Sequence, residues 1–158
     1  MSLVRVFLYG TLKRGQPNYY WLTNKENGYA KFVCEAVTLE KFPLVVTTSF
    51  NIPFLLNVPG MGHQVKGEVY EIDEKMLKNL DVLEDYPTCY EREKKSLVRV
   101  GDEKAGEKFE GVLYYLKDTP KKFLELEFLE EYKDDPKRPY QPNEINDFNY
   151  DDLLKEAS

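Results

Sequence analysis

The sequence predicts an α+β fold: a mainly antiparallel sheet, curled or closed, with one well-marked helix against it. Three observations point there. Segments rich in β-branched and aromatic residues recur along the chain, and several are joined by loops too short to hold a crossover helix. One segment, Asp73 to Glu84, carries clear helical spacing. Aromatic residues make up 14%, with 12 Tyr and 9 Phe, and such bulky groups favour strands and walled pockets over bare helical bundles. The 158 residues are one domain's worth of chain. Strand count alone does not separate a barrel from a sandwich.

The elements follow in order. Leu3 to Tyr9, LVRVFLY, reads as a mostly buried strand that stops at Gly10-Thr11. After the break Gly15-Gln16-Pro17, Asn18 is placed to cap a short helix, Tyr19 to Leu22. Ala30 to Thr47 reads as two strands or one bent strand, interrupted at Pro43. The next stretch is loop-like at both ends, with an apolar middle from Phe54 to Val58, and Val65 to Ile72 is a further strand. Asp73 then caps the main helix, Glu74 sits in its first turn where the dipole favours an anion, and Pro87 follows its end. Ser96 to Val100 and Phe109 to Lys117 read as strands joined by the charged turn GDEKAGEK. From about residue 118 the pattern weakens. FLELEFLEEY is a short helix or an irregular packed segment, Asp134 to Asn146 is Pro-rich and polar, and Tyr150 to Ala157 reads as a final short helix.

Composition excludes several functions. Lys and Arg total 22 against 28 Asp and Glu, a net charge of −6, which disfavours non-specific nucleic-acid binding. No run approaches the roughly 20 apolar residues of a membrane span, and the first residues lack the pattern of a signal peptide. A soluble, cytoplasmic protein is the expectation. Cys34 and Cys89 form neither a disulfide framework nor a Cys-x-x-Cys unit, and His63 is the single histidine. Zinc of the usual His/Cys spacing and a histidine-based triad are therefore disfavoured, and acid–base work would fall to a carboxylate or a tyrosine. The acidic residues between Glu125 and Asp135 lack the spacing of a calcium loop, and Lys13-Arg14 lacks that of a P-loop. Both read as solvated charge.

Two places carry chemistry. At Tyr9-Gly10-Thr11-Leu12 a buried strand turns sharply at glycine, leaving N–H groups that no ladder pairs; these suit a carboxylate or a developing oxyanion. An ordinary turn has the same sequence. The second place is Glu84. Met76, Leu77, Leu80 and Leu83 form the helix's apolar stripe, and Glu84 lies four after Leu80 and seven after Leu77, on that stripe. Buried there, its pKa would rise from about 4.3 toward neutrality, where a general base is useful. The alternative is a frayed helix end with Glu84 turned to water. Asp81 and Asp85 fall on another face, where solvent is expected. Glu68 and Glu71 are expected on the solvent side or at a mouth. Tyr86, Tyr90, Tyr114, Tyr115 and Tyr140 belong to core or rim, and composition does not choose among them.

The stretch VFLYGTLKRGQPN, residues 6 to 18, resembles the N-terminal signature of the γ-glutamyl cyclotransferase-like superfamily. TLEKFPLVV, FNIPFLLNVPGMGHQVKGEVYEIDEKMLKNLD and LEDYPTCYER follow in the order and spacing of its γ-glutamylamine cyclotransferase branch. The resemblance covers residues 3 to about 100 and returns at RPYQPNE; the hairpin 101–108 and the segment 118–135 have no clear counterpart. It implies a small, mostly antiparallel β-barrel with peripheral helices, spanning 1–158 as one domain. It implies that Glu84 is the catalytic carboxylate and that Tyr9, Gly10, Thr11 and Leu12 hold the γ-glutamyl part of the substrate, largely through backbone amides. Tyr140 resembles a tyrosine that closes over the site. The implied reaction uses no cofactor or metal: a small-molecule γ-glutamyl substrate cyclises to 5-oxoproline and releases an amine. Alternatives are γ-glutamyl amino acids or glutathione as substrate, or a non-catalytic barrel that binds a small ligand. Neither nucleic acid nor membrane is an expected partner, and oligomeric state is not legible.

Overall fold

The computed structural model describes residues 2–141. Its elements are β1 (Val4–Leu8), α1 (Tyr20–Thr23), β2 (Ala30–Phe42), β3 (Leu44–Thr47), β4 (Ile52–Leu55), β5 (His63–Ile72), α2 (Glu74–Leu83), β6 (Tyr90–Val100) and β7 (Lys108–Leu116). Five strands close into a barrel in the order β1-β5-β2-β6-β7, while β3 and β4 form a separate two-stranded ribbon. Every barrel pairing is antiparallel except the closing one, where β1 meets β7 in parallel at Val6 and Val112. The mostly antiparallel barrel implied by the resemblance is the fold observed.

Local sequence explains the closure. β1 is nearly all apolar because both its faces are covered: Val6 and Leu8 enter one apolar cluster, Phe7 and Tyr9 the other. β2 shifts register against β5 between Phe32 and Cys34 and again between Val37 and Lys41, bends that let one strand serve both β5 and β6. Gly67 on β5 is required by close approach, since a Cβ there would lie 2.5 Å from the Leu8 carbonyl and 2.6 Å from the Phe7 ring. That approach fixes where β1 ends and its loop begins.

α2 begins as its sequence indicates. The Asp73 carboxylate accepts from the Met76 N–H at 2.9 Å and also from the Tyr29 N–H at 3.1 Å; these two donors hold its pKa below the ordinary carboxylate value. Met76 and Leu80 are buried, with Leu77 and Leu83 packed beside them.

Several expectations are corrected. Asn18 does not cap α1; the capping position is Tyr19, without a side-chain bond, and Asn18 is used elsewhere. The stretch before Phe54 is strand as well, and β4 tolerates Pro53 because its ladder partner is β3 alone. β6 starts at Tyr90 rather than Ser96, and β5 at His63 rather than Val65. The segment after Pro120 contains a 3-10 turn, Lys121–Glu125, followed by irregular chain anchored by buried Phe123 and Tyr132. The helix expected at Tyr150 to Ala157 lies outside the described residues. Among the described residues no helix is long and apolar enough to cross a membrane.

Candidate active site

The loop after β1 folds back on itself. The Gly10 and Thr11 carbonyls accept from the Lys13 and Asn18 N–H groups, at 3.3 and 2.8 Å. Asn18 also donates its side-chain amide to Thr11 Oγ1 (2.9 Å) and to the Tyr140 hydroxyl (3.2 Å). Gly10 passes so close to β4 that a Cβ would sit 3.1 Å from Pro53 Cγ. With the carbonyls engaged, the N–H groups of Gly10, Thr11 and Leu12 donate to no acceptor among the described residues. These residues line a pocket of about 810 Å³, counting its open mouth.

Glu84 forms another wall of that pocket. It is the C-cap of α2, and its N–H still bonds the Leu80 carbonyl at 2.9 Å. Beyond it the chain turns through Asp85 at φ 52°, with Asp85 N–H bonded to Val82 O (3.2 Å) and Tyr86 N–H to Asp81 O (2.9 Å). This left-handed cap closes the helix firmly, so Glu84 does not fray outward. Its side chain is partly accessible, through the cavity, yet surrounded by protein; the resulting desolvation pushes its pKa up to about 7. No cation or hydrogen-bond donor among the described residues offsets that burial.

Tyr9 supports the wall rather than offering a free hydroxyl. Its O–H donates to the Tyr114 carbonyl at 2.7 Å, and burial together with the nearby Glu84 charge pushes its pKa well up. Tyr140 also lines the pocket. Its backbone N–H donates to Asp134 within the 134–141 strap (2.7 Å), and the Gln141 N–H donates to the Phe50 carbonyl (3.0 Å), which ties the strap to the rim. All six residues singled out in the sequence, Tyr9, Gly10, Thr11, Leu12, Glu84 and Tyr140, thus line one pocket. Asn18, Pro53, Tyr90 and Tyr114 line it as well and were not singled out as site residues. Asn18 had a signal, being a polar amide set immediately before α1 in the stretch that follows the loop. The other three belong to strand runs whose inward face is not marked.

Charges expected in solvent are engaged. Lys13 is buried and donates Nζ to the Tyr132 carbonyl at 2.6 Å, and burial lowers its pKa. Glu68 is buried: it accepts from Arg14 N (2.9 Å), Arg14 Nε (3.1 Å) and the Tyr70 hydroxyl (3.0 Å). Asp81 is half-buried and bonded to Arg92 and Tyr114. In each case a partner from a distant segment, invisible in local spacing, makes burial affordable.

Comparison with known proteins agrees with this fold. The family described as "Gamma-glutamyl cyclotransferase, AIG2-like" matches residues 6–142. A Bos taurus protein named gamma-glutamylaminecyclotransferase is 42% identical, over 90% of this chain and 84% of its own. The Mus musculus protein of that name is 41% identical, over 82% and 89%. The crystal structure of an AIG2-like protein from Mus musculus superposes with a TM-score of 0.86 at 38% identity, covering 91% of this chain and 99% of that one. On this match of sequence and fold, the chain belongs to the γ-glutamyl cyclotransferase, AIG2-like family of enzymes.

Proposed function

We propose that the protein converts γ-glutamylamines, of which γ-glutamyl-ε-lysine is the type, into 5-oxoproline and a free amine. The carrying observation is the meeting, in one pocket, of a desolvated, unpaired carboxylate with a loop of unengaged N–H groups. The substrate supplies its own nucleophile. Glu84 takes a proton from the α-ammonium group, whose reference pKa is near ~8. The freed amine attacks the γ-amide carbonyl carbon, closing a five-membered ring and placing negative charge on the carbonyl oxygen. The ring keeps the new C–N bond and its nitrogen gives up a second proton; Glu84 delivers the first proton to the amide nitrogen as the original C–N bond breaks, and the second goes to the departing amine, which leaves as an ammonium ion. No water is consumed. A carboxylate with a pKa of about 7 is close enough to the amine to exchange protons in both directions. The N–H groups of Gly10, Thr11 and Leu12 take the α-carboxylate or the oxyanion, and Tyr9 and Tyr140 shape the walls.

The leaving-group side favours an amine over an amino acid. Among the described residues no Lys, Arg or His side chain lines the pocket, and Glu84 is the one acidic residue there. A γ-glutamyl amino acid or glutathione would bring a carboxylate next to the scissile bond without a cation to meet it. The test is 5-oxoproline release from γ-glutamyl-ε-lysine, γ-glutamyl-alanine and glutathione, by the native protein and by Glu84→Gln. Preferred turnover of the first by native protein alone is expected. Preference for either of the others reassigns the substrate, and tight calorimetric binding of 5-oxoproline without turnover makes the protein a binder.

A further inference from the structure

We propose that Asp81 is a positioning residue for Glu84: it clamps the last turn of α2 to the barrel wall and so keeps the Glu84 carboxylate facing the pocket. The inference rests on Glu84 being the base. An anion near a helix C-terminus opposes the dipole, so Asp81 is not there for the helix's own sake. Its carboxylate is held at three points. Oδ1 accepts from Arg92 Nε at 2.9 Å and from the Tyr114 hydroxyl at 2.6 Å, and Oδ2 accepts from Arg92 Nη2 at 3.3 Å. Arg92 on β6 and Tyr114 on β7 are direct cross-strand partners. Asp81 therefore bridges two adjacent strands from above, and the salt bridge is largely shielded, its side chains being 28% and 20% exposed.

The main chain of Asp81 completes the clamp. Its carbonyl accepts the Tyr86 N–H that closes the turn after Glu84, and the Arg92 guanidinium lies 4.4 Å from the Tyr86 ring centroid. Glu84 follows Asp81 by three positions, so both ride the same turn. Tyr114 links this clamp to the loop: its hydroxyl holds Asp81 while its carbonyl receives Tyr9. Among the described residues the titratable groups around Glu84 are Tyr9 after β1, Tyr90 on β6, Tyr114 on β7 and Tyr140 on the strap, with Asp81 and Asp85 on its own turn. Burial pushes the Tyr9, Tyr114 and Tyr140 pKa values up, so these three are neutral near pH 7, and burial is likewise the cause of the raised Glu84 pKa. A loosened turn admits water and lowers it.

Asp81→Asn keeps the shape but drops the charge and one acceptor oxygen. The expected result is a fall in kcat of about 10-fold, KM within about threefold, and an acid limb of kcat/KM moved down by about one pH unit. The Glu84 carboxyl titration, followed by carbon-13 NMR, should move with it. Tyr114→Phe removes one bond and should shift both in the same direction by less; it decides the matter if Asp81→Asn does not fold. A lower melting temperature with kcat, acid limb and NMR titration unmoved overturns the proposal. Native turnover by Glu84→Gln instead overturns the base assignment, while the NMR titration still reports whether Asp81 keeps that carboxyl dry.

Discussion

Two glutamates flank the loop after β1, and the regions around them are opposites. On the β5 side, Glu68 is 8% exposed and accepts three hydrogen bonds, one from a cation. On the α2 side, Glu84 is more open by area and lines the pocket, and no donor among the described residues meets it. Exposed area therefore ranks the pair the wrong way round for chemistry. The better-covered carboxylate is a structural tie that holds Arg14 and the loop's far end. The less-covered one is left without a partner, which in a folded protein is tolerated where a ligand or a proton is to be received.

The largest effect separates the two by activity. Glu84→Gln should lower turnover by about 10² or more with the fold retained, whereas Glu68→Gln should stay within about tenfold of native turnover. Steady-state assays of 5-oxoproline release measure both, and equal losses would erase the contrast. Stability should invert the ranking. Glu68→Ala strands Arg14 and the Tyr70 hydroxyl and should cost about 2–3 kcal/mol in denaturant unfolding.

Glu84 should behave oppositely in pH. Its folded pKa, about 7, lies above the unfolded value of 4.5. The neutral acid is thus favoured by folding. That relative stability is fully present below pH 4.5 and lost as pH rises through 7. Glu84→Gln should therefore gain on the native protein across this window, by up to about 3 kcal/mol at its upper end, and kcat/KM of the native protein should fall below about pH 7 as the base protonates. A stability difference independent of pH would place Glu84 in water. The smallest effect is at the cap: Asp85→Gly relieves a left-handed φ of 52° and should stabilise by about 0.5–1 kcal/mol, with turnover within twofold.

Much of this was legible in the residues. β1, the bend at Pro43, the Asp73 cap and the stripe carrying Glu84 follow from periodicity and local chemistry, and the loop and Tyr140 follow from family resemblance. What stayed hidden depends on long-range pairing. From Tyr90 to Ser96, β6 pairs with β7 alone, and β2 joins only at Leu97 to Val100; the open side accounts for charges in EREKK that mask a strand. Glu68, Lys13 and Asp81 looked solvated because Arg14, Tyr132, Arg92 and Tyr114 come from elsewhere in the fold. Asn18 reads as a cap because Asn at a helix start does cap in isolation; here Thr11 and Tyr140 compete for its amide and win.

The parallel seam between Val6 and Val112 has a consequence for synthesis. The first strand leaves the ribosome with both faces greasy, yet the strand that seals it arrives on the order of ten seconds later at ordinary elongation rates. Until then a nascent chain offers β1 to any chaperone or stray neighbour. It also has no finished cavity, because Tyr114 and Tyr140 come later still. Catalytic competence should therefore switch on abruptly once the segment carrying Tyr140 has emerged rather than grow with chain length.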